Sequence, residues 1–163
     1  MDLIVCVDRN WGIGSKGQLL CPISADLQRF KQLTLGKTIL YGDKTMATFP
    51  HGKPLPKREN IVLAADPAFT VEGATVVHSL EELLALVNDK EDVYVAGGAS
   101  VYRQLLPYCH LAYVTHLSKA FPADAWFPDL SQKPEWQLRE VSEEYPHEDF
   151  TYRFSVYENS SLF

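Results

Sequence analysis

The chain has 163 residues, enough for one domain with a single core, and it is read as one domain over 1–163. Its 46% hydrophobic and 22% charged residues belong to an ordinary globular protein, not a disordered or fibrous one. A formal net charge of −6 argues against nucleic acid as a partner, because phosphate binding wants a basic face, yet it leaves room for one small anion in a local pocket.

Cys6, Cys21 and Cys109 are odd in number and widely spaced, with no C-x-x-C, which argues against a disulfide framework or zinc site and fits a reducing cytosol. The N-terminus has an acid at position 2 and only a short apolar run, unlike a signal peptide. No run approaches the ~18 apolar residues of a membrane span.

In chain order, Leu3 to Val7 predicts a buried strand. A glycine-rich loop follows from Asn10 to Gln18. Ala25 to Leu35 predicts a helix with Leu27, Phe30 and Leu33 on its apolar face and Ser24 as its cap. Thr38 to Tyr41 predicts a strand ended by Gly42, and Asp43 to Thr48 a short helix. After a Pro-rich loop, Asn60 to Ala64 and Thr75 to Val77 predict strands. Ser79 to Asn88 predicts an amphipathic helix with Glu82 at the capping-box position. Asp92 to Ala96 runs as a strand into Gly97-Gly98. A helix from Ser100 to Leu105 stops before Pro107, and Leu111 to Leu117 is again a strand. Gln137 to Tyr145 and Phe150 to Tyr157 predict two strands joined by a turn at Pro146-His147.

Alternating strands and helices closed by two strands predict an α/β fold. Its sheet is mainly parallel and twisted, about eight strands, with an antiparallel C-terminal edge strand and helices on both faces. Such sheets bind ligands beyond the C-terminal ends of their strands, so the chemistry is sought there. GIGSKG, Gly12 to Gly17, matches G-x-G-x-x-G only formally: four residues separate it from the strand, and QLLCPI after it is no helix. It reads instead as a flexible loop beside a site. VAGGASVY, Val95 to Tyr102, is either a backbone cradle for a pyrophosphate or a tight turn that needs glycine. Asp26 is either an acid favoured in a helical first turn or a carboxylate for a cationic heterocycle. Arg58 is either a solvated charge or a fork for a carboxylate. Thr115 is ordinary for a strand, and His116 has no special role. No nucleophile with an adjacent base and no metal-ligand spacing occurs, which suits chemistry carried by a cofactor.

The segments IVCVDRNWGIGSKGQL, SADLQRFKQLT, GKTILYGDKT, KPLPKRENIVL, VAGGASVYRQLLP, AYVTHL and DAWFPD resemble, in order and spacing, those of the dihydrofolate reductase family across essentially the whole chain. The resemblance implies an NADPH-dependent, cytoplasmic, monomeric oxidoreductase that reduces dihydrofolate and binds antifolate-like inhibitors. It assigns catalysis to Asp26, Thr115 and Tyr102. Asp26 would grip the pterin and support protonation of a ring nitrogen through water, Thr115 would orient it, and Tyr102 would lie near the nicotinamide. Ile4, Leu27, Phe30, Arg58, Ala96 and Cys21 would bind substrate, Arg58 through the glutamate carboxylate of folate. Cys6, Ile13, Gly17, Leu19, Gly42, Asp43, Lys44, Thr45, Ala65, Gly97, Gly98, Ala99 and Ser100 would bind cofactor, with a cis Gly97-Gly98 bond.

Two departures from the family stand out. Cys21 replaces a frequent Trp that holds a water near the pterin, which predicts weaker folate and antifolate binding, tightened by Cys21→Trp. Asp43 replaces the usual Arg, Ala64 and Ala65 replace hydroxyl residues, and Ser100 replaces a second Arg, so partners for a 2′-phosphate are largely missing. Either NADH is tolerated or preferred, or Lys44 or Lys57 supplies the charge and NADPH is still used. Two other functions share these features in part: the fold-related pyrimidine reductase of riboflavin synthesis, and a non-catalytic pterin-binding protein.

Overall fold

The computed structural model describes residues 1–20 and 22–162, and Cys21 lies outside them. In chain order the regular elements are β1 (Asp2–Val7), β2 (Gly12–Ser15), β3 (Gln18–Leu19), α1 (Ser24–Thr34), β4 (Thr38–Gly42), α2 (Asp43–Met46), β5 (Glu59–Leu63), β6 (Thr75–Val77), α3 (Leu80–Val87), β7 (Val93–Val95), α4 (Ala99–Leu105), β8 (Leu111–Leu117), β9 (Ala125–Trp126), β10 (Trp136–Val141), β11 (Tyr145–His147) and β12 (Phe150–Asn159). The main sheet runs β10-β12-β8-β1-β7-β4-β5-β6, with β11 paired to β12. From β8 to β6 every neighbour is parallel. β12 is antiparallel to β8, and β10 lies antiparallel outside it as the edge.

Side chains alternate along each strand and so divide two cores between the faces of the sheet. Leu3, Val5 and Val7 pack with Leu40 and Ile61 under Leu83 and Val87 of α3 and Val101, Tyr102 and Leu105 of α4. Ile4, Ile39, Tyr41, Val62 and Tyr94 pack on the other face with Met46 of α2 and Phe30 and Leu33 of α1. Helices therefore cover both faces, and each fully buried Leu or Ile contributes about 1.5–3 kcal/mol.

Three local expectations are corrected. Ser24 is the first helical residue rather than the cap; Ile23 holds that position with no side-chain bond. The stretch from Asn10 to Gln18 is not an open loop: β2 pairs with β3 and with β9 in a second, three-stranded sheet. Pro146 and His147 are strand residues of β11, and the turn falls at Glu148, which has φ 50°. A proline is tolerated there because β11 lies off the main path, where a missing N–H breaks no central ladder. The capping box at Ser79 is present, its Oγ accepting from the Glu82 N–H at 3.1 Å.

Candidate active site

The C-terminal ends of β1, β4, β7 and β8 converge beside α1 and α2. Asp26 stands in the first turn of α1, and its Oδ1 accepts a hydrogen bond of 2.6 Å from the Thr115 hydroxyl on β8. Burial raises the Asp26 pKa above the ordinary carboxylate range, while the Thr115 bond and the charge of Arg29 oppose the rise. The Tyr102 phenol donates to the Ile4 carbonyl at 2.6 Å. Burial pushes its pKa far up, so this hydroxyl stays protonated and ties α4 to the middle of β1 rather than moving protons.

The Gly97–Gly98 peptide bond is cis. At Gly97, with φ +134°, a Cβ would sit 3.0 Å from the Thr45 Oγ1, so only glycine lets β7 turn this close to α2. The Gly97 carbonyl accepts from the Gly42 N–H at 2.9 Å, and the Ala96 N–H donates to the Leu40 carbonyl at 2.8 Å. These bonds join β4 to the turn that opens α4. Gly98 precedes α4 without a side-chain cap, Ala99 begins the helix, and Ser100 is exposed, sharing its hydroxyl with the Gln104 amide.

Arg58 is placed by the Pro-rich loop. Buried Asn60 accepts from the Tyr41 hydroxyl and the Leu55 N–H, and donates to the Leu55 and Arg58 carbonyls. All four hydrogen-bonding capacities of its amide are thus used to fold the loop back on β5. The Arg58 guanidinium donates to the Pro56 carbonyl and, at 3.2 Å, to Thr34 at the end of α1. Phe30 is half-buried on α1, whereas Leu27 is 51% exposed and leaves the helix's core face.

Asp43 opens α2, with Lys44 exposed beside it. Ala65 is exposed beyond β5. Ala64 is buried, and its carbonyl meets the His78 ring at 2.9 Å. Lys57 does not belong to this group. Its carbonyl accepts from the Gly36 N–H, before β4 begins, so the length of β5, about 13 Å at ~3.3 Å per residue, separates it from Asp43. Lys57 therefore stands at the opposite end of β5 from Asp43, which does not fit the expectation that it supplies the missing charge.

Of the residues assigned to the hairpin side, Ile13 packs on the first core, Cys6 is half-buried on β1, Gly17 is exposed at the hairpin tip, and Leu19 is exposed on β3 opposite Gly14. The acids that hold this hairpin were missed from sequence. Asp8, 2% exposed, accepts from the Asn10, Gly12 and Phe121 N–H groups at 2.8–2.9 Å. Asp124 accepts from the Lys16 N–H at 2.9 Å. The only signal was an acid just before a glycine-containing turn. Among the described residues no group of acids, cysteines and histidines could hold a metal, and no helix is long and apolar enough to cross a membrane.

The family model described as dihydrofolate reductase matches residues 1–159. The chain belongs to the dihydrofolate reductase family. It is 34% identical to the dihydrofolate reductase of Bacillus subtilis, covering 99% of this chain and 95% of that one. It is 33% identical to that of Staphylococcus haemolyticus, covering 97% and 95%. The solved dihydrofolate reductase of Enterococcus faecalis, complexed with NADP(H) and RAB-propyl, superposes with a TM-score of 0.84 at 30% identity, covering 96% of this chain and 94% of that one. The activity is accordingly that of a dihydrofolate reductase, an NADPH-dependent oxidoreductase, and the pyrimidine reductase alternative gives way.

Proposed function

We propose that dihydrofolate is reduced over the Asp26–Thr115 pair, with Asp26 gripping the pterin and Thr115 fixing the carboxylate's orientation. The observation that carries this reading is a half-buried carboxyl held by one 2.6 Å bond from a buried threonine, at the strand ends where such sheets take ligands. A reduced nicotinamide supplies the hydride. Asp26 supports protonation of the pterin nitrogen through water, because a carboxylate bonded to the ring's far edge does not deliver the proton directly. Ile4, Ala96, Phe30 and exposed Leu27 line the pterin and benzoyl positions, and Arg58 meets the glutamate carboxylate as a fork. The β2–β3 hairpin covers the reacting rings and excludes water. Antifolate-like inhibitors share the pterin's position.

The residues present fit a dinucleotide's diphosphate. Gly97 and Gly98 leave the space a Cβ would fill beside Thr45, and backbone N–H groups there suit phosphate oxygens. For the adenosine end, half-buried Asp43 disfavours a 2′-phosphate and accepts ribose hydroxyls, which supports use of NADH alongside NADPH. Lys44 and His78 are the basic side chains next to that end that can offset it.

The test is steady-state turnover of dihydrofolate with NADPH and NADH in parallel, on wild type and Asp26→Asn. Wild-type turnover that collapses in a folded Asp26→Asn is expected. Binding without turnover in wild type would return the non-catalytic alternative. A large excess of NADPH over NADH efficiency would overturn the reading of Asp43.

A further inference from the structure

Arg29 lies on α1 three residues after Asp26, on the same helical face. Its guanidinium carbon is 4.5 Å from the centroid of Phe154 and 5.7 Å from that of Tyr113. Phe154 is the register partner of Thr115 on the β12–β8 ladder. Tyr113 precedes Thr115 by two residues and shares its face of the sheet. One turn of α1 therefore sits over one rung of the ladder, with Asp26 bonded to Thr115 and Arg29 laid on Phe154. An arginine extended into water is screened and adopts many rotamers, whereas one laid on two rings is a fixed charge in poorer solvent.

We propose that Arg29 is a positioning residue for Asp26: a cation clamped to the sheet by Phe154 and Tyr113 that favours the ionised form of the active-site carboxyl and sets the pH range of dihydrofolate reduction. The inference rests on the reading of Asp26 as the pterin acid. The other titratable groups around the pair are Tyr113 on β8, Tyr102 on α4, Cys6 on β1 and Glu140 on β10. Tyr102 is committed to the Ile4 carbonyl, and the charge of Glu140 acts on Arg29. Burial raises Asp26 and lowers Arg29, and each charge opposes the effect of burial on the other. Arg29 is thus the cation that acts on Asp26. Its loss leaves the carboxyl protonated to higher pH, and reduction, whose protonation step through water is supported by the protonated carboxyl, persists further into the alkaline range.

The experiment compares wild type with Arg29→Gln, Arg29→Lys and Phe154→Leu. It reads the pH profile of kcat/KM for dihydrofolate and an NMR titration of the isotope-labelled Asp26 carboxyl in the substrate-free enzyme, assigned with Asp26→Asn. In Arg29→Gln both midpoints move to higher pH together. Relative to its own plateau, the rate on the alkaline limb rises about threefold. Arg29→Lys, which keeps the charge, returns most of the way. Phe154→Leu, which keeps the charge but removes its platform, moves the same way by less and serves if Arg29→Gln fails to fold. An unmoved carboxyl midpoint in folded Arg29→Gln or Phe154→Leu overturns the proposal. Retained turnover in Asp26→Asn instead overturns the reading of Asp26 itself, so the two failures are told apart.

Discussion

Asp26 is a carboxylate kept where water solvates it poorly. Its pKa is raised by burial, so the folded state favours the protonated form. A raised pKa means that the fold is most stable below the ordinary carboxylate pKa and loses stability as pH rises through the higher folded value. At neutral pH the ionised group is therefore a net cost to the fold. Asp26→Asn removes the charge at nearly constant shape and is expected to raise Tm by a few degrees, about 1 kcal/mol, while abolishing turnover. Thermal unfolding at neutral and acid pH checks this, and the advantage of the variant must shrink on acidification. Asp43 poses a different single-residue question. Asp43→Arg is expected to improve kcat/KM for NADPH over NADH by about tenfold, from roughly 1–3 kcal/mol for a charged hydrogen bond; an unchanged ratio would remove Asp43 from the cofactor site. In the sequence Asp26 looks like any acid favoured by a helix dipole, because its partner Thr115 is distant in the chain. Arg29 was invisible for the same reason, since its rings lie on β8 and β12.

The β2–β3 hairpin was read as a loop because three of its nine residues from Asn10 to Gln18 are glycine and only Trp11 and Ile13 favour a strand. What makes it regular is not its own sequence but its partners: β9 on one side, and Asp8 beneath it. Gly12 is required there, since a Cβ would lie 2.9 Å from that of Ala123 and 3.1 Å from both Asp8 carboxylate oxygens. Asp8→Ala leaves three N–H groups without their acceptor, that of Gly12 buried and those of Asn10 and Phe121 part-buried, at about 1–3 kcal/mol for the first and less for those that reach water. The expected result is a loss of roughly 3 kcal/mol in urea unfolding. Faster amide exchange confined to residues 9–20, and lower turnover from an element that no longer closes, should accompany it. Wild-type exchange in that segment would show that β9 alone holds the hairpin.

At the scale of the whole molecule, the alternation of strands and helices was legible because parallel strands buried on both faces read as plain apolar runs. The C-terminal antiparallel strands were less so. β12 lies inside the sheet between β8 and β10, and β11 hides a proline. The sheet also decides the fate of His116, which sequence left without a role. It points from β8 to the face opposite Thr115, edge-on to Trp11 with centroids 5.1 Å apart, and its Nε2 meets the Tyr157 hydroxyl at 3.1 Å. Burial, helped by the charge of Arg153 and partly opposed by Asp129, lowers its pKa from the ordinary 6.5 to about 4. A folded pKa below the unfolded one means that this side chain's contribution is complete above pH 6.5 and is lost as pH falls to about 4, because the unfolded chain takes up the proton first. Over that window it makes stability fall by up to about 1.4 kcal/mol per pH unit. His116→Gln keeps a polar group for Tyr157 but cannot take the proton. It should therefore be less stable than wild type at neutral pH through lost ring packing, yet lose less stability between those two values. Urea unfolding at closely spaced pH decides the matter: parallel curves for the two proteins would mean that the carboxylates, not this histidine, govern acid unfolding.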